Sequence, residues 1–157
     1  MKLNCYLKVT NLCNLNCLHC YNASSYVLKT PERIPESHLL KFFQILTPWL
    51  EDKENRLLLI FHGGEPLYFG SDFIYDICKK AETIFGSFFD RVEFHIQTNL
   101  TFNISDDFVK LLNAFFEKKV GTSFDPFIRR LGNSYEKFRN LWERNVKFLI
   151  DQGIYVS

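Results

Sequence analysis

The chain lacks the features that mark several classes of protein. Its net charge is only +1, and its Lys and Arg residues are scattered among acidic ones, so no basic surface for nucleic acid is indicated. No apolar run reaches the length of a signal-peptide core or a membrane span. Five cysteines without a paired framework fit a reducing cytoplasm better than secretion. We therefore expect a cytoplasmic protein that binds neither nucleic acid nor a membrane.

The order of apolar segments predicts an α/β fold in a single domain over residues 1–157. Short apolar runs alternate with segments whose apolar residues recur at helical spacing. We predict strands at 3–9, 57–61, 92–96, 120–124 and 154–156, with four helices after the first four strands in turn. Such alternation is typical of right-handed crossovers and a parallel sheet.

Polar segments follow the predicted strands at the points where they end. A cysteine-containing loop follows the first strand, residues 62–66 the second and residues 97–99 the third, while Ser123 and Asp125 close the fourth. Ligand chemistry in parallel sheets collects at the carboxyl ends of the strands. The four polar segments therefore predict one site.

The cysteine loop carries the strongest chemical signal, because Cys13, Cys17 and Cys20 stand in the order Cys-x-x-x-Cys-x-x-Cys. Cubane [4Fe–4S] clusters are held by cysteine thiolates. With three such ligands, one iron would stay free to bind a small molecule. Two alternatives are a structural zinc site, which prefers four ligands in two separated pairs, and a buried cluster of free thiols. Cys5, in a predicted strand, and Cys78, on the apolar face of a helix, are interpreted as core residues.

These segments together resemble the radical S-adenosylmethionine enzymes. The resemblance rests on the cysteine triplet, the Gly-Gly-Glu-Pro turn at 63–66 and the Ser-Phe-Asp run at 123–125. Residues 97–99 and 121–135 are most similar to the branch that modifies peptides and proteins. This branch includes the anaerobic sulfatase-maturating enzymes, which carry an additional cysteine-rich C-terminal domain. The resemblance extends over residues 3–156.

The resemblance implies a definite chemistry. Cys13, Cys17 and Cys20 would hold a [4Fe–4S] cluster whose open iron chelates S-adenosylmethionine. Reductive cleavage would yield a 5′-deoxyadenosyl radical that abstracts hydrogen from a peptide or protein substrate, with the electron supplied by a donor such as flavodoxin or ferredoxin. The cofactor would carry the chemistry, and the protein would orient it and exclude solvent.

The turn at 63–66 is expected to contact the methionine part of the cofactor. Gly63 and Gly64 leave backbone groups that can approach the methionine amine, Pro66 would stiffen the turn, and Glu65 would support it by hydrogen bonding. Without the cysteines, the same four residues would indicate an ordinary strand-to-helix turn.

Other cofactor contacts are implied beyond this turn. Ser123 and Asp125 would lie on one face of the fourth strand and bind the ribose hydroxyls, although Asp125 could instead only begin a turn. Thr98 and Asn99 would line the cofactor or substrate cavity, with a turn-forming role as the alternative for Asn99. His19 could stack near the adenine.

The sequence ends where the family barrel would continue, since that barrel has six strands. We expect a truncated partial (β/α) barrel of about four βα units plus the start of strand five, and we expect residues 1–157 alone to self-associate through an uncovered sheet edge. Two other functions stay open. One is a compact activase of glycyl-radical enzymes, and the other is a non-catalytic iron–sulfur or zinc binding module.

Overall fold

The computed structural model describes residues 1–20 and 33–157. Strands and helices alternate through these ranges, as the sequence predicts. The strands are β1 (Lys2–Thr10), β2 (Arg56–Gly63), β3 (Val92–Ile96), β4 (Lys119–Val120) and β5 (Tyr155–Val156). The α helices are α1 (Glu36–Leu46), α2 (Ser71–Phe85), α3 (Asp106–Phe115) and α4 (Tyr135–Asp151). Short 3-10 helices occupy Thr47–Glu51, Pro66–Phe69 and Gly86–Arg91.

All strand pairs are parallel. Strands β1, β2 and β3 form one ladder in that order, and β4 pairs with β5. A parallel bridge between Gln97 and Gly121 joins the two ladders. Its hydrogen bonds run from the Gly121 amide to the Ile96 carbonyl at 2.9 Å and from the Thr98 amide to the Gly121 carbonyl at 3.0 Å. The strands therefore follow one another in chain order, and the loops after β1, β2, β3 and β4 leave the same edge.

The two faces of the sheet differ in burial. The face toward the helices carries fully buried side chains of β2, including Leu57, Leu59 and Phe61, which pack with apolar residues of α1 and α2. The opposite face is open, because Tyr6 of β1 is 70% exposed and Tyr155 of β5 is 65% exposed. The continuous apolar run of β2 predicted burial on both faces. On the opposite face this holds for Leu58, which is buried, but not for Ile60, which is half-buried and lines a cavity.

The fourth strand is shorter than its predicted range of 120–124. Sheet hydrogen bonds continue through Gly121 to the Thr122 amide, which donates to the Ser157 carbonyl at 2.8 Å. Beyond Thr122 the chain leaves the sheet, and the Phe124 ring packs 4.7 Å from the Trp142 ring of α4, measured between centroids. The Trp142 indole N–H donates to the Thr122 hydroxyl at 3.1 Å. Contacts with α4 thus replace strand pairing in this segment, and strict side-chain alternation does not apply to Ser123 and Asp125.

None of the helices in the two described ranges combines the length and the apolar character that a membrane span requires.

Helix α4 supports the segment that follows β3 through one buried amide. The Asn145 side chain is 3% exposed, and its Nδ2 donates to the carbonyls of Leu100 and Phe102 at 2.8 Å each. Leu100 has a φ of 52°, which is unusual for a leucine. The two bonds therefore fix a backbone turn that does not belong to regular secondary structure.

Replacing this amide should destabilise the protein. We expect Asn145→Ala to lower the free energy of unfolding by about 2 kcal/mol, because it leaves two carbonyl groups without their donor. Asn113→Ala, at an exposed position of α3, is the matched control and should change it by less than about 0.5 kcal/mol. Urea denaturation measures both. Equal transition midpoints for the two variants would contradict the assigned role of Asn145.

Candidate functional site

A cavity of about 580 Å³ opens at the carboxyl ends of the strands. It is lined by the loops after β1, β2, β3 and β4 together with the open face of the sheet. The structure brings ten of the twelve predicted site residues to it: Cys13, Cys17, His19, Cys20, Gly63, Gly64, Glu65, Thr98, Asn99 and Ser123. The expectation that the strand-end segments meet in one place is therefore confirmed.

The cysteine loop is positioned by backbone bonds to the segment after β4. The Asn16 amide donates to the Arg130 carbonyl at 2.8 Å, and the Leu18 amide donates to the Ile128 carbonyl at 3.4 Å. An antiparallel bridge between Leu15 and Leu131 lies next to the Asn16 bond. The segment 128–131 therefore determines where the three thiols stand.

All three cysteines of the loop are free thiols at the cavity wall. The Cys13 sulfur accepts hydrogen bonds from the Leu15 amide at 3.4 Å and from Asn99 Nδ2 at 3.5 Å. Burial raises the pKa of Cys13, and burial also raises the pKa of Cys17, where the positive charge of Arg129 acts in the opposite direction. Within residues 1–20 and 33–157, no three His, Cys, Asp or Glu side chains are grouped to hold one metal ion.

The turn after β2 is joined to the start of the cysteine loop. The Gly64 amide donates to the Thr10 carbonyl at 2.8 Å, and the Glu65 amide donates to the Leu12 carbonyl at 2.7 Å. Gly63 has a φ of 134°, which favours glycine. At Gly64 a Cβ atom would lie 2.6 Å from the carbonyl carbon of Leu12. Both glycines are therefore required by this close approach of two loops.

Glu65 connects the same turn to the loop after β3. Its side chain is buried and accepts from the Thr98 hydroxyl at 2.6 Å, the Asn99 amide at 2.7 Å and the Leu67 amide at 3.0 Å. Burial raises the pKa of Glu65 to about 7, although the three donors favour its ionised form. Pro66 begins the following 3-10 helix, is buried and lies outside the cavity lining.

Asparagine side chains connect the loop after β3 to the cysteine loop. Asn99 Nδ2 donates to Asn14 Oδ1 at 2.9 Å, and Asn14 Nδ2 donates to the Thr101 hydroxyl at 3.0 Å. Asn99 Oδ1 accepts from the Thr101 amide at 2.9 Å. Asn14 was not among the predicted site residues. The only sequence signal for it was its place between two of the cysteines, which does not specify a partner 85 residues away.

The segment after β4 supplies the remaining predicted residues. Ser123 lines the cavity and accepts from Gln97 Nε2 at 3.2 Å. Asp125 does not line the cavity, because its Oδ2 is paired with Arg129 Nε at 2.6 Å. The expectation that Ser123 and Asp125 share one strand face is thus wrong. Arg129 lines the cavity in place of Asp125.

A methyl group at Gly64 should separate the two joined loops. We expect Gly64→Ala to lower the free energy of unfolding by about 2–3 kcal/mol, since the added atom would overlap backbone rather than a flexible side chain. Gly153→Ala, just after α4, is the comparison, because a Cβ there meets nothing within 4 Å and only the φ of 74° costs about 1 kcal/mol. Thermal or urea unfolding measures both losses. A smaller loss for Gly64→Ala than for Gly153→Ala would contradict the close approach.

The raised pKa of Glu65 predicts a pH dependence of stability. This pKa lies above the ordinary 4.5 of a glutamate. The contribution of Glu65 to the free energy of unfolding is therefore fully present below pH 4.5 and is lost as the pH rises through 7. Glu65→Gln should destabilise the metal-free protein at pH 5, because an amide N–H₂ would face the Asn99 amide. The difference in the free energy of unfolding between the parent protein and Glu65→Gln should decrease by about 2 kcal/mol between pH 5 and 7.5. Urea denaturation measures this difference. A difference that stays constant from pH 5 to 7.5 would contradict the raised pKa of Glu65.

Solved structures with a similar fold contain a cofactor. "Native anSMEcpe with bound AdoMet", an anaerobic sulfatase-maturating enzyme, has a TM-score of 0.74 at 20% identity, over 99% of this chain and 42% of that one. "Native anSMEcpe with bound AdoMet and Kp18Cys peptide" has a TM-score of 0.72 at 20% identity, over 100% and 42%. The chain thus spans less than half the length of these proteins. The predicted partial parallel barrel is confirmed, and the chain shares its fold with these structures.

Sequence comparison gives a further result. No curated protein matches the chain at a significant level. The profile of a family described as "4Fe-4S single cluster domain" matches residues 3–116, which include the cysteine loop, the turn after β2 and the loop after β3. Because this match covers well over half of the sequence, the chain belongs to the family of 4Fe-4S single cluster domains.

Proposed function

We propose that residues 1–157 form the N-terminal part of the core of a radical S-adenosylmethionine oxidoreductase that acts on a peptide or protein. One observation carries this proposal. Three free thiols and a glycine turn border one cavity. The turn is joined to the cysteine loop directly by backbone hydrogen bonds and indirectly through Asn99, which binds both Glu65 and Asn14. This arrangement suits a cluster whose open iron faces a bound small molecule.

Cys13, Cys17 and Cys20 would hold the [4Fe–4S] cluster. Membership in a single-cluster family supports this ligand set, as does the chemistry of thiolates, which bind the irons of such clusters. The thiols must lose their protons on binding, and burial of Cys13 and Cys17 disfavours charge until the metal is present. When bound, the cluster supplies the electron that cleaves S-adenosylmethionine.

The turn and the loop after β3 would form the wall that orients S-adenosylmethionine. Gly63 and Gly64 present backbone without side chains, which allows the methionine amine to approach. Thr98 and Asn99 are buried against Glu65 and would keep this wall rigid. Pro66 would act only from behind the wall, since it does not reach the cavity.

The opposite side of the cavity would receive the nucleoside. Ser123 lines this side and offers a hydroxyl for a ribose hydroxyl, and His19 is exposed at the cavity, where its ring could stack on the adenine. Asp125 would act through Arg129, with which one of its carboxylate oxygens is paired, rather than by direct contact, because it lies outside the cavity lining. Contact of Asp125 with the ribose is therefore not part of the proposal.

A peptide substrate fits the open face of the sheet. Tyr6, His95 and Tyr155 are exposed there and line the same cavity. Their hydroxyl and imidazole groups can donate and accept hydrogen bonds, as peptide backbone requires. Structures titled with bound Cp18Cys and Kp18Cys peptides share the fold and support this substrate class. A cytoplasmic flavodoxin or ferredoxin would supply the electron.

Iron uptake is the direct test of this proposal. Anaerobic reconstitution should give about four irons per chain. Cys13→Ala, Cys17→Ala and Cys20→Ala should each lose the cluster, whereas Cys5→Ala, a partly buried core position, should retain it. Iron analysis and the visible absorption of the cluster measure the result. Stoichiometric zinc without iron uptake after anaerobic expression would contradict the proposal and favour a zinc-binding module.

The reconstituted protein also tests catalysis. With dithionite and S-adenosylmethionine, the complete protein should release 5′-deoxyadenosine, which chromatography detects. Cofactor that binds to an intact, reduced cluster but is never cleaved would instead indicate a non-catalytic iron–sulfur module.

A further inference from the structure

We infer that Asn99 is a positioning residue for the cluster ligand Cys13, and that its N–H···S contact raises the reduction potential of the cluster. This inference rests on the proposed function, because it requires a bound cluster. It assigns to Asn99 a role beyond lining the cavity. The contact joins Asn99 Nδ2 to the Cys13 sulfur at 3.5 Å.

The orientation of the Asn99 amide is determined by its other partners. Its Oδ1 accepts from both the amide and the hydroxyl of Thr101, at 2.9 and 2.6 Å. Its Nδ2 donates to Asn14 Oδ1 at 2.9 Å. A rotated amide would place Nδ2 against the Thr101 amide donor and Oδ1 against the Asn14 acceptor. The N–H groups must therefore face Cys13 and Asn14.

The backbone of Asn99 is fixed as well. Its amide donates to the buried carboxylate of Glu65 at 2.7 Å, and the residue is only 5% exposed. The Cys13 loop cannot shift independently of Asn99, because Asn14, the next residue, binds both Asn99 and Thr101. The contacts with Glu65, Asn14 and Thr101 already restrict the Asn99 amide, so it loses little conformational freedom when it contacts a thiolate. The N–H···S contact would therefore persist when the cluster is bound.

The electrostatic consequence has a definite sign. Reduction adds a negative charge to the cluster, and hydrogen bonds to its sulfurs stabilise the more negative state. An N–H donor at Cys13 therefore favours the reduced cluster. Loss of the donor should move the midpoint potential to a more negative value and make the electron harder to deliver.

Two uncharged variants isolate this donor, whereas a carboxylate at position 99 would also place a negative charge beside the Cys13 sulfur. Asn99→Ala removes the N–H that faces Cys13. Thr101→Val breaks a bond of the same loop but keeps the backbone amide that donates to Asn99 Oδ1, so the N–H···S contact remains. Both are reconstituted anaerobically and titrated with a reductant while the reduced cluster is followed by electron paramagnetic resonance. At the midpoint potential of Thr101→Val, the ratio of reduced to oxidised cluster should be about fivefold lower in Asn99→Ala.

The outcomes separate the inference from the proposed function. A parent protein that takes up no iron overturns both. A loaded parent with equal potentials for Asn99→Ala and Thr101→Val overturns the inference alone, and a more negative potential for Asn99→Ala supports it. If Asn99→Ala cannot be loaded, Asn99→Asp is titrated against Asn14→Asp. Equal potentials for that pair likewise overturn the inference, because both the lost donor and the added charge should lower the potential of Asn99→Asp.

Discussion

The buried carboxylate of Glu65 is the group on which the walls of the cavity depend. It accepts hydrogen bonds from its own turn at Leu67 and from the loop after β3 at Thr98 and Asn99. Parallel strands do not by themselves fix the loops that leave their ends. Here one acidic side chain joins two of these loops, and Asn99 continues the connection to Cys13. The relative position of turn and thiol is thus determined by polar contacts rather than by apolar packing.

Burying the Glu65 carboxylate has an energetic cost. A carboxylate with almost no solvent contact loses hydration that three hydrogen bonds only partly replace, as its raised pKa indicates. An apolar residue at position 65 would avoid the cost but could not specify where Thr98 and Asn99 stand. The large core on the other face, with Phe43, Phe61 and many other buried apolar residues, supplies the stability that makes the cost tolerable.

The sequence predicts the fold well where the signal is local. Apolar runs predict β1, β2 and β3 to within two residues at either end, and the helical period predicts α1, α2, α3 and α4 of the described ranges. It failed after Thr122, because the packing of Phe124 against the aromatic side chains of α4 is a long-range contact that no local pattern encodes. The site was predictable as a meeting of strand ends. Its polar network was not, since the pairing of Asn14 with Asn99 joins residues far apart in the chain.

The way the cysteine loop is attached bears on how such a loop can change over evolution. Its bonds to the segment 128–131 run through main-chain atoms, which every residue except proline provides in full. Leu18 and His19, both exposed, can therefore be exchanged without loosening the attachment. Asn14 has no such freedom, because its side chain makes the contacts. Substitutions at exposed positions between the cysteines can thus alter the surface around the thiols, while the positions of the three thiols stay constant.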